Sequence, residues 1–184
     1  HDEAHEGAGP SLRRGVGIGA MWYGIGNTSI ANPSTIEMGV TRDGRVVLFC
    51  GAVDIGQGAS TILVQIAADA LGVSPDDVQL VSGDTDRTAD AGKSSASRQT
   101  FVSGNATQRA AAELRRRLLR LAEVDDQAQL QVGPDGLTVQ SEGDSFRLEL
   151  ETMGSDAAGC VMVATGVYDP ATTELDADGQ GSPY

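Results

Sequence analysis

The chain has 184 residues, with 13 Lys and Arg against 26 Asp and Glu, a formal net charge of −13, and 24 glycines. That length suits one domain of ordinary size or two small ones, and an apolar share of 40 % is enough for a core although aromatics reach only 4 %. So acidic a surface excludes a broad nucleic-acid face, because nothing offsets phosphate repulsion, and no apolar run reaches the roughly 20 residues that span a bilayer.

Residues 1–14 are polar and unpatterned and are expected to form a loose tail, so the folded domain is expected to cover 15–184. GVGIGAMWYG, residues 15–24, is a short apolar run broken by glycines and predicts a strand. TIEMGVTRDGRVVLFCGAV alternates apolar and polar residues on either side of Asp43-Gly44, the pattern of a β-hairpin. In DIGQGASTILVQIAADALG, the residues Ile62, Leu63, Ile66, Ala67, Ala70 and Leu71 recur at helical spacing, and Gly72 supplies the stop. Ser74 with Asp77 resembles a capping box, with Pro75 at the first helical position. VQLVSGD then predicts a short strand. A second helix is expected after Arg98-Gln99, with Val102, Ala106, Ala110, Leu114, Leu118 and Leu121 on one face. Arg115, Arg116, Arg117 and Arg120 gather near its C-terminal end, where they oppose the helix dipole as a solvated face. Residues 129–150 predict short strands around Gly133-Pro134-Asp135-Gly136 and Glu142-Gly143-Asp144, and GCVMVATGVYDP one more. This order implies an α+β fold: a mixed or mostly antiparallel sheet with two main helices packed on one face.

Cys50 and Cys160 each stand in an apolar run, the placing of buried free thiols. Two are too few for an iron–sulfur cluster that wants four. No secretory signal is visible, and a reducing, cytoplasmic setting is expected, with the periplasm as the alternative. Three motif matches are set aside. GVGIGA fits a dinucleotide fingerprint but lacks the strand before it and the helix after it. HDEAH spaces His1 and His5 by four, yet Asp2 stands where a zinc protease needs Glu. Asp84, Asp86 and Asp90 in DTDRTAD lack the glycine of a calcium loop and read as an acidic turn. No metal ligand is assigned.

Two stretches share a device that carries chemistry. In DIGQGAST, Gly56, Gln57 and Gly58 turn the chain into a helix, whose first amides suit an anion, and the Gln57 amide can donate or accept. DAGKSSASRQTFVSGNATQ repeats the arrangement. Ser95, Ala96 and Ser97 are small enough to expose backbone amides, Lys93 adds a point charge, Arg98 can clamp bidentately, and Gln99 adds donors. Both helix starts could converge on one elongated anionic ligand; a plain turn and a merely capped helix are the alternatives.

The run from DIGQG to GNA resembles the molybdenum-cofactor-binding domain of the xanthine dehydrogenase and aldehyde oxidoreductase family. The likeness rests on GQG followed by Thr61, on SGDTD, and on SSASRQT with GNA. It is flanked by RRGVGIGAMWYGIG and by GVYDP with GQGSPY, and covers the chain from about residue 13 to its end. It implies a fragment of the large subunit of a molybdenum hydroxylase, which hydroxylates a C–H carbon of an aldehyde, purine or heterocycle at a molybdenum pyranopterin. The pterin is held by loops, with no protein ligand to the metal, and bacterial members often carry it as a cytosine dinucleotide. By this resemblance Gly56, Gln57 and Gly58 touch the pterin or its phosphate region. Ser95, Ala96 and Ser97 lie beside it through backbone groups, and Arg98 and Gln99 hydrogen-bond it.

The partners implied are the rest of the large subunit, iron–sulfur and flavin domains or subunits, and a small-molecule substrate. The family's catalytic glutamate lies in a later segment, so neither Glu37 nor Glu113 is assigned as a base, and no catalytic residue is. Half a cofactor site offers too few contacts to offset the ligand's lost freedom, so the isolated chain is expected to be inactive and to bind no cofactor. The competing readings are a nucleotide- or phosphate-binding module and a non-catalytic fragment that binds nothing alone. Two expectations follow for the structure and its variants: residues 56–60 and 94–99 share one edge, and Arg98→Ala costs cofactor before it costs stability.

Overall fold

A computed structural model describes residues 15–21, 26, 28 and 30–182. β1 (Ser34–Thr41), whose burial alternates along its first half, pairs antiparallel with β2 (Val46–Cys50), from Glu37 opposite Phe49 to Val40 opposite Val46; the alternation expected after the turn is corrected, because β2 is apolar and buried at every position. The turn between them requires glycine twice over. Gly44 has a φ of +79°, and any side chain there would run into the backbone of Gly136 and Leu137. β2 leads through α1 (Ala59–Leu71) to β3 (Val78–Ser82), which lies parallel to β2, the crossover that a parallel pair needs. Gly72 ends α1 at a φ of +85°, its amide on the Ala68 carbonyl, as its position predicts. The expected capping box shrinks to one 3₁₀ turn, Pro75–Asp77, because the Ser74 hydroxyl accepts from the Asp76 amide and not from Asp77.

A π-helical turn, Gln99–Ser103, opens α2 (Gly104–Leu121). β4 (Gln129–Gly133), β5 (Gly136–Ser141) and β6 (Asp144–Arg147) then meander about the two predicted turns, and β7 (Cys160–Tyr168) pairs antiparallel with β1. The fold is α+β, as expected, but its strands divide into two sheets. One is mixed, in the order β3-β2-β1-β7; the other is antiparallel, β4-β5-β6.

The main core lies between the mixed sheet and the helices. Ile36, Met38, Val40, Val46 and Leu48 meet Leu63, Ala67 and Leu71 of α1 and Ala106, Ala110, Leu114 and Leu118 of α2. Leu121, the last residue of the expected seam, is exposed. Gly166 lets α2 approach β7 closely, since a Cβ there would overlap the backbone at Ala106 and Ala110. The opposite face of the sheet carries a smaller cluster of Val47, Phe49, Val81 and Cys160, with the Arg87 guanidinium 5.6 Å from the Phe49 ring centre.

The arginine cluster on α2 departs from a simple solvated face. Arg115 donates to Leu71 O at 3.0 Å, Asp126 O at 3.0 Å and Ala128 O at 2.6 Å, so it joins the ends of both helices to β4. Arg116 and Arg117 pair with Glu113, and Arg117 also donates to Val163 O on β7 at 2.7 Å.

The strand predicted over 15–24 is corrected. Residues 15–21 form no strand and are exposed, Ile18 by 97 %. Glycine at every second position leaves one face with nothing to bury and weakens any pairing. Residues 22–25 lie outside the described residues, as does the tail with His1 and His5. Cys50 and Cys160 are free and buried. Asp84 organises an ordinary turn, its carboxylate accepting from the Asp86 amide at 3.1 Å and its carbonyl from Thr88.

Candidate cofactor site

Between β2 and α1 the chain curls through Gly56 (φ +102°) and Gly58 (φ +80°), and the backbone amides converge. Their acceptor is Asp54. Its carboxylate takes the amides of Gly56 at 2.8 Å, Gly58 at 3.3 Å and Ser60 at 3.1 Å. An anion at a helix start is what the amides and the dipole favour. Those bonds, the Gly56 amide foremost, hold the Asp54 carboxyl below the usual carboxylate range. The amides expected to face an outside phosphate are taken in this structure by the chain's own carboxylate. Gln57 is also engaged locally: its Oε1 accepts from the Ile55 amide at 2.6 Å and its Nε2 donates to Val53 O at 3.2 Å. The rim of the turn is nevertheless open. Residues 53–58 are exposed, and a Cβ on Gly56 or Gly58 would meet nothing within 4 Å.

The second stretch reaches the first through one atom. The Ser94 hydroxyl donates to Val53 O at 3.0 Å, the carbonyl that already accepts from Gln57. The two turns therefore share one edge of the fold, as expected. Ala96 (φ 44°) and Ser97 (φ 59°) adopt left-handed backbone, uncommon for residues with side chains and often found at functional sites. The Ala96 carbonyl accepts from the Gly26 amide at 2.9 Å. Ser97 and Lys93 are exposed, while Ser95 and Ala96 are half-buried.

Arg98 and Gln99 point away from this rim. The Arg98 side chain is wholly buried. Its Nε donates to Asn32 Oδ1 at 2.6 Å, its Nη2 to Asn32 O at 3.1 Å and to Pro33 O, and its Nη1 to Ala91 O. Gly92 (φ +69°) makes room, since a Cβ there would overlap the guanidinium. Gln99 is buried as well. Its Nε2 lies 3.4 Å from Gly92 O and 3.3 Å from Ser94 Oγ, and its Oε1 accepts from the Ser103 hydroxyl at 2.5 Å. In this structure the Arg98 and Gln99 side chains, expected as a ligand clamp, are held by partners within the chain. A buried charge requires hydrogen-bond partners, and two segments of the chain provide them, Asn32-Pro33 and Ala91.

Sequence reasoning missed Asp54, Asn32 and Ser103. Asp54 stands two residues before Gly56, the spacing at which a carboxylate reaches back to amides of its own turn. Ser103 lies midway between Gln99 and Thr107, a polar stripe at intervals of four beside the apolar seam. Asn32 carried no local signal, because it meets Arg98 across 66 residues.

The molybdopterin cofactor-binding domain family matches the chain over residues 1–184. The chain belongs to that family. The gamma subunit of the 6-hydroxypseudooxynicotine dehydrogenase complex of Paenarthrobacter nicotinovorans is 30 % identical over 167 residues, which is 91 % of this chain and 19 % of that relative. The putative xanthine dehydrogenase molybdenum-binding subunit of Escherichia coli K12 is 37 % identical over 120 residues, 62 % of this chain and 15 % of its own length. Among solved structures, the aldehyde oxidoreductase of Desulfovibrio desulfuricans has a TM-score of 0.59 at 28 % identity, covering 88 % of this chain and 16 % of that one. Quinoline 2-oxidoreductase of Pseudomonas putida 86 has a TM-score of 0.58 at 25 % identity, covering 78 % and 20 %. The chain thus spans less than a fifth of the curated relatives it matches.

The exposed groups on the shared edge fit a pterin held by loops. Open glycine rims admit a flat ring close to the backbone, Ser97 offers a hydroxyl, and Lys93 offers a positive charge. Beside Ser97, an open depression of about 390 Å³ runs between Ile66 of α1 and Phe101, Gly104 and Gln108 at the start of α2.

Proposed function

We propose that the edge formed by residues 53–60 and 94–97 holds one side of a molybdenum pyranopterin in the intact protein. The other contacts would come from the remainder of the large subunit. The observation that carries this reading is the shared acceptor, Val53 O, which ties the two turns into one surface. Gly56, Gln57 and Gly58 would line the ring system through exposed backbone and amide. Ser95, Ala96 and Ser97 would present backbone groups and hydroxyls. Asp54 opposes a phosphate at the α1 start, so the anionic end of the cofactor, proposed in its cytosine dinucleotide form, would lie toward Lys93. Arg98 and Gln99 would build the wall behind these contacts without touching the ligand.

When bound, such a group supplies oxidative hydroxylation of a C–H carbon; the substrate classes proposed are aldehydes, purines and aromatic heterocycles. The work of this chain is to orient the group and keep water from its protein-facing side. We assign neither Glu37 nor Glu113 as a base. Glu37 accepts from the Thr165 hydroxyl at 3.3 Å on the sheet, and Glu113 is paired with Arg117. Iron–sulfur and flavin domains or subunits would carry the electrons away.

Ser97→Asp tests the reading. An aspartate tolerates the left-handed backbone at an exposed site, so folding should persist while a new negative charge faces the cofactor. Molybdenum by metal analysis and pterin by fluorescence after oxidation should both fall several-fold in the purified intact protein. Unchanged content would remove Ser97 from the site and the shared edge with it.

A further inference from the structure

Among the described residues, the buried polar side chains are Asn32, Ser34, Arg98, Gln99, Ser103 and Thr107, and all of them gather around the start of α2. Part of this group forms a chain of hydrogen bonds whose direction is fixed by chemistry. A serine has one hydroxyl proton to give. Ser103 gives its proton to Gln99 Oε1 at 2.5 Å, so Ser34 Oγ, 2.9 Å away, must donate to Ser103. The Gln99 amide cannot be reversed, because Oε1 would then face the carbonyl of Gly92, another acceptor. Nε2 therefore donates to Ser94 Oγ at 3.3 Å, and Ser94 passes its own proton to Val53 O at 3.0 Å. Each donor points toward the 53–58 turn, starting from β1 in the core. Links aligned in this way polarise one another.

The π-helical turn places the middle of the chain. The Gly104 amide bonds to Gln99 O, five residues back. Gln99, Val102 and Ser103 are all buried, while Thr100 and Phe101 stay outside. Such turns recur at functional sites inside otherwise regular helices.

We infer that Ser103, Gln99 and Ser94 are positioning residues: their one-way hydrogen-bond chain sets the 53–58 turn against the 94–97 turn. The inference rests on the reading above only in calling that edge a cofactor site; the coupling belongs to the protein itself. Gln99→Glu separates polarity from shape. The carboxylate keeps an acceptor for Ser103 but has no donor for Ser94. The Ser94 hydroxyl then turns toward the carboxylate and releases Val53 O. Ser94→Ala removes the last link outright, and Ser94→Thr restores a hydroxyl.

The measurement is hydrogen–deuterium exchange on the intact protein prepared without molybdenum. Peptides covering 53–58 should exchange about fivefold faster in Gln99→Glu and Ser94→Ala, the factor matching loss of one ordinary hydrogen bond. Peptides covering 63–71 of α1 should not change, and Ser94→Thr should match the parent. Parental exchange at 53–58 in a folded Ser94→Ala protein would overturn the inference, as would a uniform rise across the whole domain. Pterin content in protein prepared with molybdenum reads the other question. Faster exchange with unaltered pterin content would uphold the coupling and discard the cofactor reading.

Discussion

The turns that open α1 and α2 resemble each other as sequence, each a glycine- and serine-lined run before a helix, yet they are organised by opposite charges in opposite media. At 53–60 the organising group is the Asp54 carboxylate, in solvent, and it collects amides from its own loop. At 90–99 it is the Arg98 guanidinium, out of water, and it collects carbonyls from Asn32, Pro33 and Ala91. The first closes within six residues, the second across 66. Two similar-looking helix starts therefore do different jobs. One presents a pre-shaped open rim; the other builds the wall that holds the rim in place.

The difference can be tested by removing each organising group in turn. The largest effect is expected from Arg98→Met, which keeps bulk but leaves buried carbonyls and Asn32 Oδ1 without their donor. Urea denaturation should show a loss of about 3–5 kcal/mol. A loss under about 1 kcal/mol would place Arg98 on the same footing as a surface residue, and the contrast between the turns would collapse. This reverses the order expected from sequence, in which Arg98 serves the ligand before the fold.

Gly92→Ala comes next. It combines an unfavourable φ of +69° with a methyl directed into the guanidinium, and a loss of about 2–3 kcal/mol is expected in the same assay. A neutral result would mean that the Arg98 clamp adjusts freely.

Asp54→Asn should leave global unfolding nearly unaltered and loosen only residues 56–60. The sign of its pH dependence follows from a folded-state pKa lying below the ordinary one. The stabilisation is complete above the ordinary aspartate pKa and is lost as pH falls through the depressed value. In NMR titrations the Gly56 and Gly58 amides should move together with a midpoint below the usual aspartate range, and Asp54→Asn should abolish that transition. A midpoint at the ordinary value would show that the amides do not grip the carboxylate. The smallest effect is reserved for Gln57→Ala. Its side chain is exposed and bonds only within its loop, so unfolding free energy should stay within about 0.5 kcal/mol. A larger loss would show that the rim, too, is part of the core.

Much of the fold was legible along the chain. Alternation before Asp43-Gly44 marked β1, the short apolar run after it marked β2, the stripe ending at Gly72 marked α1, and the seam from Val102 to Leu118 marked α2. In β1 and the two helices the buried side chain repeats at a fixed interval, and in β2 a short unbroken apolar run follows the turn, so local order carries the information. The run at 15–21 misled because apolar composition imitated a strand without the alternating side chains that would give it a face. The division into two sheets left no local trace, nor did Gly166, whose missing side chain matters only because α2 lies against it.

The amino-acid order alone settled the kinds of elements, their succession and the family likeness carried by GQG and SSASRQT. Tertiary structure alone decided which way the charged groups at those motifs face. Burial of a guanidinium depends on acceptors delivered from distant segments, and no spacing within one stretch encodes where those segments will lie. Asp54 could satisfy the amides nearest to it; Arg98 had to wait for the two loop segments that fold around it.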